Sequence, residues 1–600
     1  MDTSLAFETY QGALAGIIFG IGALLAALLP KYKWFASAIL LVLITPIALA
    51  PFWFSADKLG ISDWDYYFSM HTNLWQTITQ FHQFPLWNPF TCGGTSALGD
   101  PEFPVLSPLF LLELAFGTPA GLKLSIYFAT AIGALGMLFL AKKMNMSPLA
   151  GLTAGMGLAF GSVNLLEIVE GHQNILAFMY IPWIFLTWYI AYQSELKKKY
   201  LYTVITAILL TLVFFQGGLY LLMYMTAAFI ILPFLVSNPK KAIFITLTAG
   251  ILAMGLASVK LIPVIYWVHE FQDKAYASSA YTLSSMDKIL LGRYLHGVEN
   301  VIPNQGSGWH EYGAYIGPVM LVLALLGFIT HRKNRFAQAL LITGAIALFG
   351  SSFGPYLKPF FDHVPFIPRS NIARIILFTI IPLCMLSGMG IDWLQKKSRI
   401  LKYIAIILIT LAAVDLMSLA YPLASQAFVL PQEPITLGQA QFPIQYDPFN
   451  YKTRYEGVDY TRAYEATLKG YGTLSYCSVL GPDPAVSIIT DEGNSYVSFP
   501  SNHDASFTIN SWAPNKVIIT VTSPIASSAI INANYADGWM VSGNPAKNIA
   551  NKVGTQIPAG TTQLTFQYVP KGMLPGIAVT VLATIITLLV LLLSAVRREK

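Results

Sequence analysis

The sequence predicts an α-helical polytopic membrane protein that carries a small external β-rich domain near its C-terminus, and three observations predict it. First, 55% of the 600 residues are hydrophobic and only 11% are charged, against about 25% charged in soluble domains. Second, thirteen apolar runs recur along the chain, with Lys and Arg clustered in every second connection between them. Third, residues 421–573 break that pattern with frequent Pro, Gly, Asn and Ser and with alternating apolar and polar stretches.

A helix needs roughly 20 apolar residues to cross the hydrocarbon core. The runs lie near 11–29, 35–54, 121–141, 148–167, 174–193, 200–216, 218–237, 241–265, 313–330, 336–353, 372–391, 400–420 and 574–596. The first is expected to stay in the mature chain, because Asp2 and Glu8 precede it where a signal peptide carries basic residues.

Orientation follows from the basic clusters: Lys31 and Lys33; Lys142 and Lys143; Lys197, Lys198 and Lys199; Lys240 and Lys241; Arg332, Lys333 and Arg335; Lys396, Lys397 and Arg399; Arg597, Arg598 and Lys600. One threading places all of them in the cytoplasm. It requires 103–117, FPVLSPLFLLELAFG, to be a short interfacial helix, as its length and two prolines favour. The N-terminus is then external and the C-terminus internal. Residues 1–420 form a transmembrane domain with external loops 55–120, 266–312 and 354–371; 421–573 form the external β-rich domain, and 574–600 the last span and a cytoplasmic tail. The expected location is the cytoplasmic (inner or plasma) membrane.

In the β-rich region, KVIITVTS (516–523) and QLTFQYV (563–569) alternate as half-buried strands do. The domain reads first as a structural cap or interaction module and second as a contributor to catalysis. The balance of 36 Lys+Arg against 30 Asp+Glu is explained by cytoplasmic loops, so no nucleic-acid partner is expected. Cys92, Cys384 and Cys477 stand far apart, so neither a disulfide framework nor a zinc site is indicated.

Mixed-sign ionisable groups collect in the external segments. They are Asp63, Asp65, His71, His82, Asp100 and Glu102 in the first loop; Glu167, Glu170 and His172 at the end of the fourth span; and Lys260, His269, Glu270, Arg293, His296, Glu299, His310 and Glu311 at and beyond the eighth. Asp362, His363, Arg369 and Arg374 precede the eleventh. Charges at membrane depth are costly unless partnered, so by default they mark functional sites. Each has a plainer reading. In ISDWDYYFSM (61–70), Asp63 reads first as a helix cap, whereas Asp65 reads equally as cap or as catalytic acid. His172 would bond a loop carbonyl, and Arg369 and Arg374 would anchor a helix end among lipid headgroups.

Five segments then carry a resemblance: PLWNPFTCGGTSALGDPEFPVLSPLFLL (85–112), EGHQNILAFMYIPWIFL (170–186), LASVKLIPVIYWVHE (256–270), HEYGAYIGPVMLVLALLG (310–327) and IPRSNIARIILFTIIPLCMLSGMGI (367–391). With the ending YADGWMVSGNPAKNIANKVGTQIPAGTTQLTFQYVPKGMLPG (535–576), they resemble in order the landmarks of YfhO-like bacterial membrane proteins, from about residue 60 to 596. That family resembles the GT-C superfamily of polyprenyl-phosphate-sugar glycosyltransferases, whose essential acid lies in the first external loop. The resemblance implies that Asp65, followed by Tyr66 and Tyr67, is that acid, with Asp63 second. Asp100-Pro101-Glu102 and Lys260 depart from the amide-type residues expected there, and an extra span precedes the usual first one.

The expected chemistry moves a sugar from a polyprenyl-phosphate donor to an extracytoplasmic acceptor: a cell-envelope glycan, a glycolipid or a protein. Asp65 would take the acceptor hydroxyl proton. Arg369, Arg374 and Lys260 would meet the departing phosphate, while His172 and Glu311 bind hydroxyls or tune Asp65. Magnesium or manganese would suit Asp65 with Asp100 or Glu102, yet no spacing demands a metal and the cofactor stays unknown. Two other classes remain open, a lipid-linked glycan flippase and an inactive scaffold binding partners through its β-domain. A lipid-accessible cavity lined by the acids and arginines separates enzyme from scaffold, and a cavity open on both faces marks a flippase.

Overall fold

In lipid every backbone amide must be satisfied within the segment, so an apolar run folds as a helix. The computed structural model describes residues 3–29, 31–55, 57–270, 283–297, 301, 308–352, 372–431, 444–446, 453–455, 458–460, 462–474, 496–500 and 504–595. Among them, ten helices are long and apolar enough to cross a membrane, and Lys33–Ala48, Leu219–Pro233 and Pro318–His331 are shorter apolar helices. Together these coincide with the thirteen runs in the sequence. The interfacial segment is helical only over Phe110–Phe116 and leads through Gly117 into the helix Thr118–Lys143. The helix Arg399–Ser425 runs past residue 420, where the domain boundary was expected.

The first helix, Thr3–Leu28, packs along Arg399–Ser425 through Gly12, Gly16 and Gly20. A Cβ at Gly12 would lie 2.1 Å from the Met417 carbonyl oxygen, so the four-residue spacing of small residues lets the two helices nearly touch.

Among the described residues the basic clusters gather at one end of the bundle; Arg597, Arg598 and Lys600 lie outside the described residues. The Lys142 ammonium sits over the Trp34 ring, the Ser147 amide donates to Asp392, and Lys396 pairs with Asp392 at 2.6 Å. Lys241 pairs with Glu195 at 2.5 Å. The mixed-sign groups lie at the other end, among the connections between helices.

Among the described residues, the β-rich region has two larger antiparallel sheets, beside two short strand pairs. One runs Ser506–Ala513, Lys516–Ser523, Gly560–Tyr568, Trp539–Val541 and Asn544–Pro545; the other runs Lys547–Ile549, Lys552–Ile557, Ser527–Asn534 and Val497–Ser498. The first expected strand is matched end to end by Lys516–Ser523, and the second falls largely within Gly560–Tyr568. Inward residues such as Val517, Ile519, Ile531 and Phe566 form a core of their own.

That core is completed by the first loop. Trp87 is buried among the strands, its ring 4.6 Å from Tyr568 and 5.2 Å from Trp539. Asn515 Oδ1 accepts from the Leu86 and Trp87 amides at 3.0 Å each, and the Asn534 side chain donates through Nδ2 to the Cys92 carbonyl at 2.6 Å. Cys92 is disulfide-bonded, which corrects the expectation from spacing. A bond between cysteines distant in sequence leaves no spacing signature, and only the fold reveals it. Cys384 is free and buried.

Candidate functional site

The site begins at a turn. The helix Ser162–Glu170 places Glu167 and Glu170 three residues apart on one face, and Gly171 then reverses the chain with φ +112°. A Cβ at Gly171 would lie 2.4 Å from the Trp64 nitrogen, so only glycine lets residues 63–64 come this close. Two bonds exploit the approach: the Asp63 amide donates to the Glu170 carbonyl at 3.0 Å, and Trp64 Nε1 donates to the Ile168 carbonyl at 2.9 Å.

His172 is thereby held between two carboxylates. Its Nε2 donates to Asp63 Oδ2 at 3.0 Å and its Nδ1 to Glu167 Oε2 at 2.5 Å. With both ring nitrogens donating, the ring is an imidazolium. Burial and the nearby Arg374 charge pull its pKa down, but Glu167 and Asp63 outweigh them and raise it to about 10. Arg374 closes the other side. Its Nε and Nη2 each donate to Glu311 at 2.7 Å, a bidentate pair, and its Nε lies 3.7 Å from Glu167. Nη2 is 3.4 Å from both His172 nitrogens, which places it over the ring face and not in line with either donor. Burial raises the Glu311 carboxyl, yet the Arg374 charge holds it well below the usual range.

The network continues outward. Glu170 meets His296 Nε2 and, at 3.3 Å, His310 Nδ1, while His310 Nε2 lies 3.6 Å from Glu311. Within the cluster the Asp63 carboxylate is the open edge, 37% exposed, against 2% for Glu167 and 4% for Glu311. Burial pushes its pKa up, but the His172 hydrogen bond and the charges of His172, His310 and Arg374 hold it below the ordinary value.

The two first-loop acids part company here. Asp63 occupies the N-cap position of Trp64–Thr79, but its side chain makes no cap bond there; it goes to His172 instead, which corrects the capping expectation. Asp65 is buried, and its Oδ1 accepts from the Ala463 amide at 2.6 Å. It therefore caps the short helix Ala463–Leu468 in place of its own, and Ser69 joins Thr467 by a hydroxyl bond of 2.6 Å on the same seam.

Asp100, Glu102 and Lys260 form a neighbouring group. Asp100 is fully buried and folds its loop by accepting from the Glu102 amide at 2.9 Å. Lys260, also fully buried, donates to the Pro101 and Phe103 carbonyls at 2.8 and 2.6 Å, so its ammonium is spent on holding that loop. Asn174 reaches the Glu102 carboxyl at 3.4 Å. Burial and the Asp100 charge raise Glu102 to about 7, although His172 and Arg374 pull the other way. Arg369 lies outside the described residues. Glu167, Glu170, His296 and His310 were legible only as external ionisable groups; the Glu-x-x-Glu-Gly-His spacing was the available signal for the first two.

No protein-family model and no curated protein sequence matches the chain. In fold, the chain is similar to ArnT from Cupriavidus metallidurans bound to undecaprenyl phosphate, with 11% identity and a TM-score of 0.45 over 75% of this chain and 87% of that one. It is also similar to the archaeal oligosaccharyltransferase AglB from Archaeoglobus fulgidus in complex with an inhibitory peptide and a dolichol-phosphate. There the identity is 13% and the TM-score 0.45, over 76% of this chain and 65% of AglB, just under two thirds of its length.

Proposed function

We propose that this chain is a YfhO-like membrane glycosyltransferase of GT-C type that moves a sugar from a polyprenyl-phosphate donor to an acceptor outside the cytoplasm. One observation carries the reading: a buried Asp–His–Glu–Arg–Glu network at one end of an apolar bundle, with the Asp63 carboxylate as its open edge. Two further features support the siting. The basic clusters gather at the opposite end, as cytoplasmic ends do, and Cys92 of the first loop is disulfide-bonded, as suits an oxidising compartment.

A groove of about 630 Å³, lined by apolar residues such as Phe214, Leu222, Phe229 and Leu261, suits a prenyl chain. Its end at Phe214 lies beneath the Lys260 ammonium, 5.3 Å from the ring, and so beside the Glu102 loop. In transfer, Asp63 takes the acceptor hydroxyl proton as the acceptor oxygen bonds the anomeric carbon and the bond to phosphate oxygen breaks. Arg374 and His172 stabilise the leaving phosphate. The Nη1 edge of Arg374, without a hydrogen-bond partner among the described residues, is the donor left for it. Glu102 holds sugar hydroxyls. Asp65, ranked first from sequence, becomes the residue that docks Ala463–Leu468.

The test is a reconstituted transfer assay. Asp63→Asn should fold normally and lose about 10²–10⁴ in rate, the usual share of a general base. Asp65→Asn should keep most turnover while loosening the 463–468 segment, read as faster amide exchange there. Near-normal turnover by Asp63→Asn overturns the assignment, and turnover lost only in Asp65→Asn restores the sequence order.

A further inference from the structure

Beside the Asp63–His172–Arg374 network lies a second convergence that the proposed transfer does not use. Glu170 ends the helix Ser162–Glu170, while His296 and His310 come from two separate parts of the segment between the spans ending at Glu270 and beginning at Pro318. One ligand atom from each lies within 4.8 Å of the other two. All three side chains are shielded, at 17%, 9% and 13% exposure.

The surroundings are acidic: the carboxylates of Asp63, Glu167, Glu170 and Glu311 gather here around the single guanidinium of Arg374. The His296 and His310 rings lie nearly parallel, with centroids 5.8 Å apart and 24° between planes.

The geometry agrees. Zinc bonds of about 2.0–2.1 Å at tetrahedral angles put neighbouring donor atoms about 3.3–3.4 Å apart, and His310 Nδ1 lies 3.3 Å from Glu170 Oε2. His296 Nε2 meets the same Glu170 oxygen. The outer nitrogen of His310 faces Glu311 at 3.6 Å, the carboxylate–histidine pairing that orients metal-bound imidazoles. The His296 main-chain N–H donates to Gln426 Oε1 at 3.1 Å.

We propose that Glu170, His296 and His310 form a three-ligand site for a divalent first-row transition metal of the zinc class, with a fourth position open to water. Two imidazoles and one carboxylate select such an ion over magnesium or calcium, which prefer all-oxygen shells. The ion ties His296 and His310 to the turn that carries His172, whose ring meets His310 edge-on at 5.3 Å.

The experiment reads metal and not transfer, so it stands whether or not the chain is a glycosyltransferase. The full chain, purified in detergent without a histidine tag, is incubated with zinc, desalted and assayed by mass spectrometry; a parallel sample takes cobalt and is read by visible absorption. Expected are one zinc per chain and the visible bands of tetrahedral cobalt, both lost in His296→Gln/His310→Gln. Glu311→Gln, which leaves the ligands in place, should weaken zinc binding about 10–100-fold. Zinc retained equally by the double variant, or no zinc and no cobalt bands in the unaltered chain, overturns the proposal.

Discussion

The two ends of the helical bundle use charge in opposite ways. At the end that carries the basic clusters, each ion pair keeps one partner in water: the Lys396 side chain is 63% exposed beside buried Asp392, and Glu195 is 81% exposed beside Lys241. At the other end Arg374, Glu167, Glu311 and His172 are 11%, 2%, 4% and 10% exposed and share partners. The proposed siting accounts for the first set, because lysines in cytoplasmic loops need no partner beyond water. The second set has been taken out of water, and each member depends on the others for its charge.

The comparison breaks outright if the ends face the wrong way. A cysteine at exposed Ser511 should react with an impermeant maleimide in intact cells, and one at exposed Asn334 should not, each scored against the parent chain. Labelling at position 334 reverses the siting of everything above. Next in size is the cost of removing one charge. Arg374→Gln leaves Glu311 and Glu167 buried without their cation and should destabilise by about 3–5 kcal/mol, whereas Lys396→Ala should cost less, because its ammonium is exposed and Asp392 keeps the Ser147 amide. Chemical unfolding in detergent measures both, and equal losses would erase the distinction between the ends.

A smaller effect tests the turn that builds the site. Gly171→Ala forces a side chain into positive φ against Trp64 and should cost about 1–3 kcal/mol while also lowering transfer, since it separates Asp63 from His172. A stability loss with transfer intact would show that the pair is dispensable. Smallest is a pH effect at Glu102. Its folded pKa of about 7 lies above the ordinary 4.5, so the folded chain holds that proton more tightly. The stability contributed is full below about 4.5 and is lost as pH rises through about 7. Glu102→Gln should therefore raise the melting temperature at pH 8 and leave it unchanged at pH 4.5. An equal rise at both values would assign the gain to packing and not to charge.

The helices were legible because the length of an apolar run is a property of the sequence in one dimension, and Lys516–Ser523 because alternation is too. The site was legible only as a neighbourhood. Asp63 and Asp65 are two residues apart with the same chemistry, and what sets their surroundings apart includes Ala463, 398 residues beyond Asp65. Lys260 stands out as a charge in an apolar helix, yet only the fold reveals that two loop carbonyls absorb it. Glu167 looked like a span terminus. It proves to be the acid between His172 and Arg374, a role set by the chain reversal at Gly171 and by a helix two hundred residues away.

The insertion of Trp87 into the β-sheet core bears on the order in which the molecule is made. A ribosome delivers the first loop early, but Tyr568 and Trp539, which enclose that indole, emerge only after twelve of the thirteen apolar helices. Ala463, which receives Asp65, is also late. Since domains form largely in order of synthesis, the loop bearing Asp63 must wait, unfinished, for the far end of its own chain. A truncated or stalled product then lacks the enclosure of Trp87 as well as its last strand.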